Sequence, residues 1–533
     1  MSLPFTPLFI DGQWRPASTG ASFEVRNPTT GQVVGTAASA SAEDCAAAVD
    51  AAARAFTTWE HIPLMVKRDV FLRAADILAT DKYREKVATI PPEEVSSTED
   101  MLPFNYLAQI GFLRNYASMA MEMKGEAFPS IVPGGRVMAQ RRAFGVVFGI
   151  APWNAPTGLT IRAIALPIIC GNTVVLKCSE ESPRTQAIIA ELFEEAGLPK
   201  GVLNFISMSR EDSPARTAEI IAHPLIRKIS VSALSAHFLG CTVSTGSQFT
   251  GSDRVGRIIA AEAAKYLKPC ILELGGKAPV VVLDDADIPR AARAITSSAL
   301  LNSGQVCMST ERVIVQQGAA PTLVQELTAL FKQVKAGDTK TEPSAVLDAL
   351  FTDRSAENVV GMIKEAVSDG ATLIVGDLSR QGAVVQPHIL MNVRPGMRLW
   401  ERESFGPVVV VAVVDTTDEA VELANSSEYS MSAGLWTRDV HAALDVSARI
   451  RAYCTNINGP TIHGEPMRTL GGMGGASGYG HFNIDDWTQL RLTVLHPAKE
   501  PPYPVVSRLG SIAQTTTNGT GDRVVSNANG TTH

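Results

Sequence analysis

From Gly145 to Ser230 short β-branched runs alternate with helix-length runs, and this rhythm limits the fold more than any other feature. Gly145–Ile150, Thr173–Lys177, Val202–Ile206 and Ile226–Ser230 read as strands. Thr185–Ala196 and the shorter Thr217–Ala222 read as helices between them. Such alternation predicts an α/β fold, a parallel sheet with helices on its faces and a nucleotide at the strand ends. No Gly-x-Gly-x-x-Gly run occurs in this stretch, so an ordinary dinucleotide loop is not the signal. A second α/β region begins near Ala278-Pro279-Val280-Val281-Val282-Leu283 and continues to about Pro466.

Upstream, residues 5–36 read as short extended segments around an Asp11-Gly12 turn. Ser41 followed by Asp44 predicts a capped helix over Ser41–Thr57, and a second helix spans about Leu64–Thr80. The Met- and aromatic-rich stretch Phe104–Lys124 reads as a helix whose stripe packs a core. Arg136–Ile150 turns β-like, and Trp487–Val494 reads as a late strand.

The 533 residues are too many for one compact core, so two or three domains are expected. A net charge of −7 argues against a nucleic-acid partner, and no apolar run is long enough for a membrane helix. The N-terminus shows no secretory pattern. The seven cysteines are scattered, without a CxxC pair, which excludes a disulfide framework or a zinc site and suggests a reducing, cytoplasmic setting. No His/Cys cluster has metal-ligand spacing.

One cysteine stands apart. Cys307 follows the turn-like run Asn302-Ser303-Gly304-Gln305, which lets its backbone N–H face a reacting oxygen. A thiolate is a potent carbon nucleophile, and local donors favour it over the thiol. For the other six cysteines the ordinary reading, a small buried side chain, holds.

Three further stretches accompany it: Glu273-Leu274-Gly275-Gly276-Lys277, Pro152-Trp153-Asn154-Ala155-Pro156 and Glu403-Ser404-Phe405-Gly406-Pro407. In this order and spacing, from about Phe5 to Pro502, the chain resembles the NAD(P)-dependent aldehyde dehydrogenase superfamily. Pro152–Pro156 and the loop Gly459–His463 look like its salicylaldehyde, vanillin and benzaldehyde branch. The resemblance implies oxidation of an aldehyde, aromatic in this branch, to a carboxylic acid through a thiohemiacetal and a thioester on Cys307. It makes the Asn154 amide and the Cys307 N–H the oxyanion donors and Glu273 the base that activates water. Lys177 and Glu180 match the adenosine-ribose contacts, and a carboxylate there favours NAD over NADP. Trp153, Phe249, Gly251, Ser252, Leu274, Gly275, Glu403 and Phe405 complete the implied cofactor site. Cys178 stands where the family more often has proline. Trp153, Phe104 and Ile462 are candidates for the aldehyde tunnel, and His463 for a proton carrier.

The family's architecture implies a cofactor domain over 1–135 and 150–273, a catalytic domain over 274–466, and a β oligomerisation arm from 136–149 and 482–502 in a homodimer or homotetramer. The Ser/Thr/Asn/Gly-rich 503–533 reads as a disordered tail. Two rival functions remain: transfer of the thioester to coenzyme A, and a dehydrogenase-like protein whose activity is impaired.

The second rival arises from a misfit. The family runs from a strand like Ile226–Ser230 straight into Phe-Thr-Gly-Ser, whereas here Phe249-Thr250-Gly251-Ser252 arrives after an extra 18 residues, Val231–Gln248. Val231-Ser232 can be encoded by a splice-donor-like sequence and Gln248 by an acceptor-like CAG. The block is therefore either a retained in-frame intron, pointing to a fungal source, or a genuine surface insertion, which loops tolerate.

Overall fold

The computed structural model describes residues 3–232, 252–465, 471–498, 503–506 and 508. By contacts the chain divides into one large unit, 1–123 with 142–489, and a small one, 124–141 with 490–533.

The alternating stretch folds as its rhythm predicts. Strands Cys270–Glu273, Ile226–Ser232, Val146–Ile150, Thr173–Lys177 and Leu203–Ile206 lie side by side and parallel. Antiparallel edge strands, Gly478–Tyr479 and the pair Leu8–Ile10 with Gln13–Arg15, complete an eight-stranded sheet. Val146–Ile150 and Thr173–Lys177 are buried at every position, as strands covered on both faces must be. Ile161, Ile164, Leu166, Ile189 and Phe193 pack on one side, and Val49, Ile220, Ile229 and Ile259 on the other.

The second α/β region forms a seven-stranded sheet, with Ala278–Val282 between Thr310–Gln316 and Ser432–Trp436, all parallel. The division expected at 273/274 thus falls between strands of two different sheets, although both belong to the same compact unit.

Helix Ala42–Trp59 begins with the reciprocal cap read from the sequence: Asp44 N donates to Ser41 Oγ at 3.1 Å, and Ser41 N to Asp44 Oδ2 at 3.0 Å. A helix the sequence reading passed over, Asp81–Glu94, carries Pro91 and Pro92 in its last turn. Prolines mark a break in sequence, and here they mark only the end. The stretch from Phe104 is not one regular helix: a π-turn, Pro103–Leu107, precedes the α-helix Ala108–Met119.

The expected arm needs correction. Its sheet consists of Thr488–Leu495, Arg136–Ala143 and Glu126–Pro129. The alternation of Arg136–Ala143 stops at Gly145, which adopts a φ of 129°, and Val146–Ile150 belongs to the eight-stranded sheet. Phe482, Ile484 and Trp487, also assigned to the arm, are buried in the core of the large unit. Conversely 124–135, assigned to the cofactor domain, lies in the small unit. The expected tail lies outside the described residues except for 503–506 and 508. Among the described residues no helix is long and apolar enough to cross a membrane, and no group of His, Cys, Asp and Glu could hold a metal ion.

Candidate active site

Helix Ile288–Leu300, capped by Asp287, delivers the chain into the turn Leu301–Gly304. Asn302, Ser303 and Gly304 adopt positive φ values of 52°, 57° and 79° in succession. Two of these are not glycine, a conformation that persists only where surroundings impose it. The surroundings do so: Ser303 Oγ donates to Asp348 O at 2.6 Å, Gln305 Nε2 to Asn302 O at 3.0 Å, and Phe351 N to Gln305 Oε1 at 2.9 Å. A Cβ on Gly304 would lie 2.2 Å from Gly406 O, so the turn is seated directly on the Glu403–Pro407 loop.

Cys307 follows this turn, beside Val306, Met308, Met431 and Ile462. Burial, reinforced by the negative charges of Glu273 and Glu403, pushes its thiol far above the ordinary range, while Arg162 opposes them. The resting sulfur therefore keeps its proton. Burial also raises other cysteines described, Cys45 up to about 12 and Cys270 to about 11. Cys241 lies outside the described residues.

Asn154 converges on the same loop from the end of Val146–Ile150. Its Nδ2 donates to Gln305 O at 3.1 Å, and Asn302 Nδ2 donates to Asn154 O at 3.3 Å. An amide nitrogen has two hydrogens, so one remains for a developing oxyanion. Glu273 ends the strand Cys270–Glu273 and is nearly buried, paired with Arg162 of helix Pro156–Ile169. The Arg162 guanidinium also lies 5.0 Å from the Phe482 ring centroid. Sequence reasoning missed Arg162, although its signal is visible: a lone charge in the apolar run Ile161-Arg162-Ala163-Ile164. It also missed Glu311, buried and paired with Lys277, which accepts from Ser404 N at 3.0 Å and so fixes the Glu403–Pro407 loop.

On the far side Glu403 is 3% exposed; its Oε1 accepts from Gly276 N at 2.9 Å, and its Oε2 has no hydrogen-bond partner. Burial, then repulsion from Glu311, holds its carboxyl well above the usual range. A Cβ on Gly275 would come within 2.5 Å of that Oε2, so a side chain there would close the space the carboxylate faces. Phe405, with a φ of 54°, meets Trp153 edge-on at 6.0 Å, and Trp153 stacks on Phe351 at 4.2 Å. Leu274 N donates to Ser477 O at 3.2 Å, and its side chain abuts Gly256.

At the ends of the parallel strands Lys177 Nζ lies 3.6 Å from Glu180 and donates to Cys178 O at 3.1 Å. Glu180 Oε2 is buried without a hydrogen-bond partner. Glu180, Ser39, Ser209 and Phe351 border one cleft there. Two unsatisfied buried carboxylate oxygens and a glycine cradle fit a polyhydroxylated dinucleotide, with Glu180 and Glu403 accepting from its sugar hydroxyls. Phe249 and Gly251 lie outside the described residues, and Ser252 opens the helix Ser252–Ala264.

A cysteine on a strained turn thus lies near an amide, a buried carboxylate and a flank with two unsatisfied carboxylate oxygens. The sequence pattern described as "Aldehyde dehydrogenase family" matches residues 14–493. The chain belongs to the aldehyde dehydrogenase family. It is 41% identical over 504 residues to a vanillin dehydrogenase of Pseudomonas sp. (strain HR199 / DSM 7063), covering 94% of this chain and 99% of that one. A salicylaldehyde dehydrogenase of Pseudomonas sp. (strain C18) is 37% identical over 505 residues, with 94% and 99% covered. The crystal structure of a salicylaldehyde dehydrogenase from Pseudomonas putida G7 complexed with salicylaldehyde superposes with a TM-score of 0.87 at 36% identity, over 94% of this chain and all of that one. The chain is thus an oxidoreductase with the aldehyde dehydrogenase fold.

Reaching Met308, the residue after the nucleophile, this aldehyde dehydrogenase has a cleft bordered also by Phe104, Phe112, Tyr116, Leu159 and Arg162. Of the three tunnel candidates Phe104 borders this cleft, Ile462 packs near Cys307, and Trp153 is taken up by Phe351 and Phe405. His463 is on the surface, 2.8 Å from Glu465.

Proposed function

We propose that this aldehyde dehydrogenase oxidises an aromatic aldehyde to its carboxylic acid with NAD as the acceptor. The observation that carries the reading is the aromatic cleft of Phe104, Phe112 and Tyr116, which reaches Met308 beside Cys307. Planar aromatic walls favour a planar ring through stacking and edge contacts.

The Cys307 thiol gives its proton to water as its sulfur bonds to the aldehyde carbon. The carbonyl oxygen becomes an alkoxide, which the second Asn154 amide hydrogen and the Cys307 N–H stabilise. Collapse of that alkoxide expels hydride and leaves a thioester on Cys307; NAD, if held by Glu180 and Glu403, would supply the hydride acceptor. Glu273 takes a proton from water, whose oxygen attacks the thioester carbonyl; the acid leaves and the sulfur regains a proton.

Glu180 supports NAD over NADP, because a 2′-phosphate beside a buried carboxylate meets like charge. Solved relatives include both an NAD-dependent enzyme from Sinorhizobium meliloti, at 29% identity, and an E. coli NADP-dependent enzyme, at 26%. Leu490, Leu492, Val494 and Leu495 are exposed on the strand Thr488–Leu495, which supports burial against a second copy of the chain. The test is NADH formation across a panel of aromatic and aliphatic aldehydes, with and without coenzyme A. Turnover with benzaldehydes, no dependence on coenzyme A, and loss in Cys307→Ala support the reading. Activity restricted to aliphatic aldehydes would overturn the substrate class.

A further inference from the structure

Ser96 and Ser303 are not glycine, yet both adopt the left-handed backbone, with φ of 51° and 57°. Such a conformation persists only where neighbours impose it. The two hydroxyls lead to one residue, Asp348. Ser303 Oγ donates to Asp348 O at 2.6 Å. Ser96 Oγ meets Thr29 Oγ1 at 2.7 Å, and Thr29 Oγ1 donates onward to Asp348 Oδ1. A hydroxyl has one hydrogen, so Ser96 is the donor to Thr29. The Asp348 carboxylate also receives Thr339 Oγ1 at 2.7 Å and Ala349 N at 2.8 Å, and the residue is 6% exposed. Residues 348–351 belong to no helix or strand, yet they hold the turn before Cys307 at two points: Asp348 O receives Ser303, and Phe351 N donates to Gln305 Oε1 at 2.9 Å.

We infer that Asp348 is a positioning residue for the nucleophile, bracing the turn before Cys307 against the turn at Asn27 through Thr29. The inference rests on the reading of Cys307 as the nucleophile. A segment without ladder bonds of its own owes its place to the contacts around it. Leu350 N, which donates to Ala383 O at 2.9 Å, and the Phe351 ring, stacked on Trp153 at 4.2 Å, fix the far end of 348–351. The Asp348 carboxylate fixes the near end. Its anchor is itself tied down: Asn27 Oδ1 receives Thr29 N at 3.1 Å, and Asn27 Nδ2 donates to Glu93 O at 2.9 Å, at the end of helix Asp81–Glu94. A carboxylate accepts on both oxygens, as two hydroxyl donors and an N–H require. An amide of the same shape keeps one acceptor and makes the other a donor, so at least one of these bonds is lost or reversed. The near end of 348–351 then shifts, and with it the direction of the Cys307 N–H and sulfur.

The experiment uses the full chain with saturating NAD and benzaldehyde, and reads the rate of the first NADH release by stopped flow, the NAD dissociation constant and the thermal midpoint. Asp348→Asn should slow the first release about 10-fold or more, as when a reacting group is misplaced. The NAD dissociation constant should stay, because the Phe351 end is still held. Ser303→Ala cuts the same path at its other end and should slow the release as well. In the double variant the two losses should not multiply, since both remove one brace. Thr29→Val removes the brace from outside and makes the same comparison possible if Asp348→Asn does not fold. A lowered thermal midpoint with an unchanged release rate, or losses that multiply in the double variant, would overturn the inference and leave Asp348 a residue that only holds the fold. Cys307→Ala separates the inference from the underlying reading. NADH release that survives Cys307→Ala would remove the nucleophile itself; release abolished there but normal in Asp348→Asn would remove only the role of Asp348.

Discussion

Gly276 faces the backbone carbonyl of Cys307 so closely that a Cβ on it would lie 1.8 Å from the oxygen. Gly276 N is meanwhile tied to Glu403 Oε1 at 2.9 Å, so the glycine joins the nucleophile's loop to the cofactor-side carboxylate. The atoms such a Cβ would meet are all backbone atoms of Cys307, which cannot give way without moving the nucleophile. Gly276→Ala should therefore lower kcat about 100-fold, the scale of loss from displacing a reacting group by about 1 Å. The check is steady-state NADH formation alongside the thermal midpoint. A variant with near-normal kcat would show that the loop has room the geometry denies it.

Glu180 provides a second test, on the cofactor side. Its buried Oε2 lacks a hydrogen-bond partner while Lys177 stands 3.6 Å away. Glu180→Gln keeps the shape and removes the charge. NAD should bind about 10-fold more weakly, as expected for loss of charge-assisted hydrogen bonds, and the NADP-to-NAD affinity ratio should rise. Titration calorimetry with each dinucleotide reads both values. An unchanged ratio would mean that Glu180 does not discriminate.

The contrast between what was legible and what was not follows the range of each interaction. The strands around Thr173–Lys177, the Ser41–Asp44 cap and the turn before Cys307 depend on residues close in sequence, and the pattern displays them. Asn154 and Glu403 were reachable only because their flanking motifs resemble a known family. The Arg162–Glu273 pair spans 111 residues, and the contact of Lys277 with Glu311 joins adjacent strands whose register no periodicity reveals. The arm boundary failed for a different reason. Arg136–Ala143 and Val146–Ile150 are both β-like, and a single left-handed glycine between them sends them to different sheets.

Glu94 links pH to stability. Its carboxylate receives Arg184 N at 2.9 Å, Thr185 N at 2.8 Å and Thr185 Oγ1 at 2.6 Å, and so caps the helix Pro183–Glu195 from another element. Burial nevertheless outweighs these donors and pushes the carboxyl up from 4.5 to about 7. A carboxyl raised on folding favours the folded state fully below its unfolded value, and that contribution fades as pH rises through the folded value. Stability from this group should fall between pH 4.5 and 7, by up to about 3 kcal/mol. Glu94→Gln should remove that part of the slope, as read by denaturant melts at several pH values. An identical slope in the variant would mean that Glu94 ionises in the fold without penalty.

The last prediction concerns Val231–Gln248. Strand Ile226–Ser232 ends with the first two residues of that block, and they make regular pairs: Val231 opposite Leu272 and Ile150, and Ser232 opposite Glu273. Deleting Val231–Gln248 would place Phe249 and Thr250 directly after Ser230, in those same two register positions, with Gly251 and Ser252 leading into helix Ser252–Ala264. The deletion therefore exchanges two strand residues and shortens one connection, leaving every other ladder contact available. Loop shortening of this kind changes closure entropy only slightly. The deleted form should fold with a thermal midpoint near that of the full chain. It should also bind NAD more tightly, because the connection it shortens leads directly into the N-terminus of helix Ser252–Ala264, and a helix N-terminus favours phosphate. Dissociation constants for NAD measured on both forms decide the matter, and equal values would refute the effect. Sequencing the transcript settles the origin separately: a messenger lacking this block would identify it as a retained intron, while an unbroken one in all transcripts would make it a native insertion.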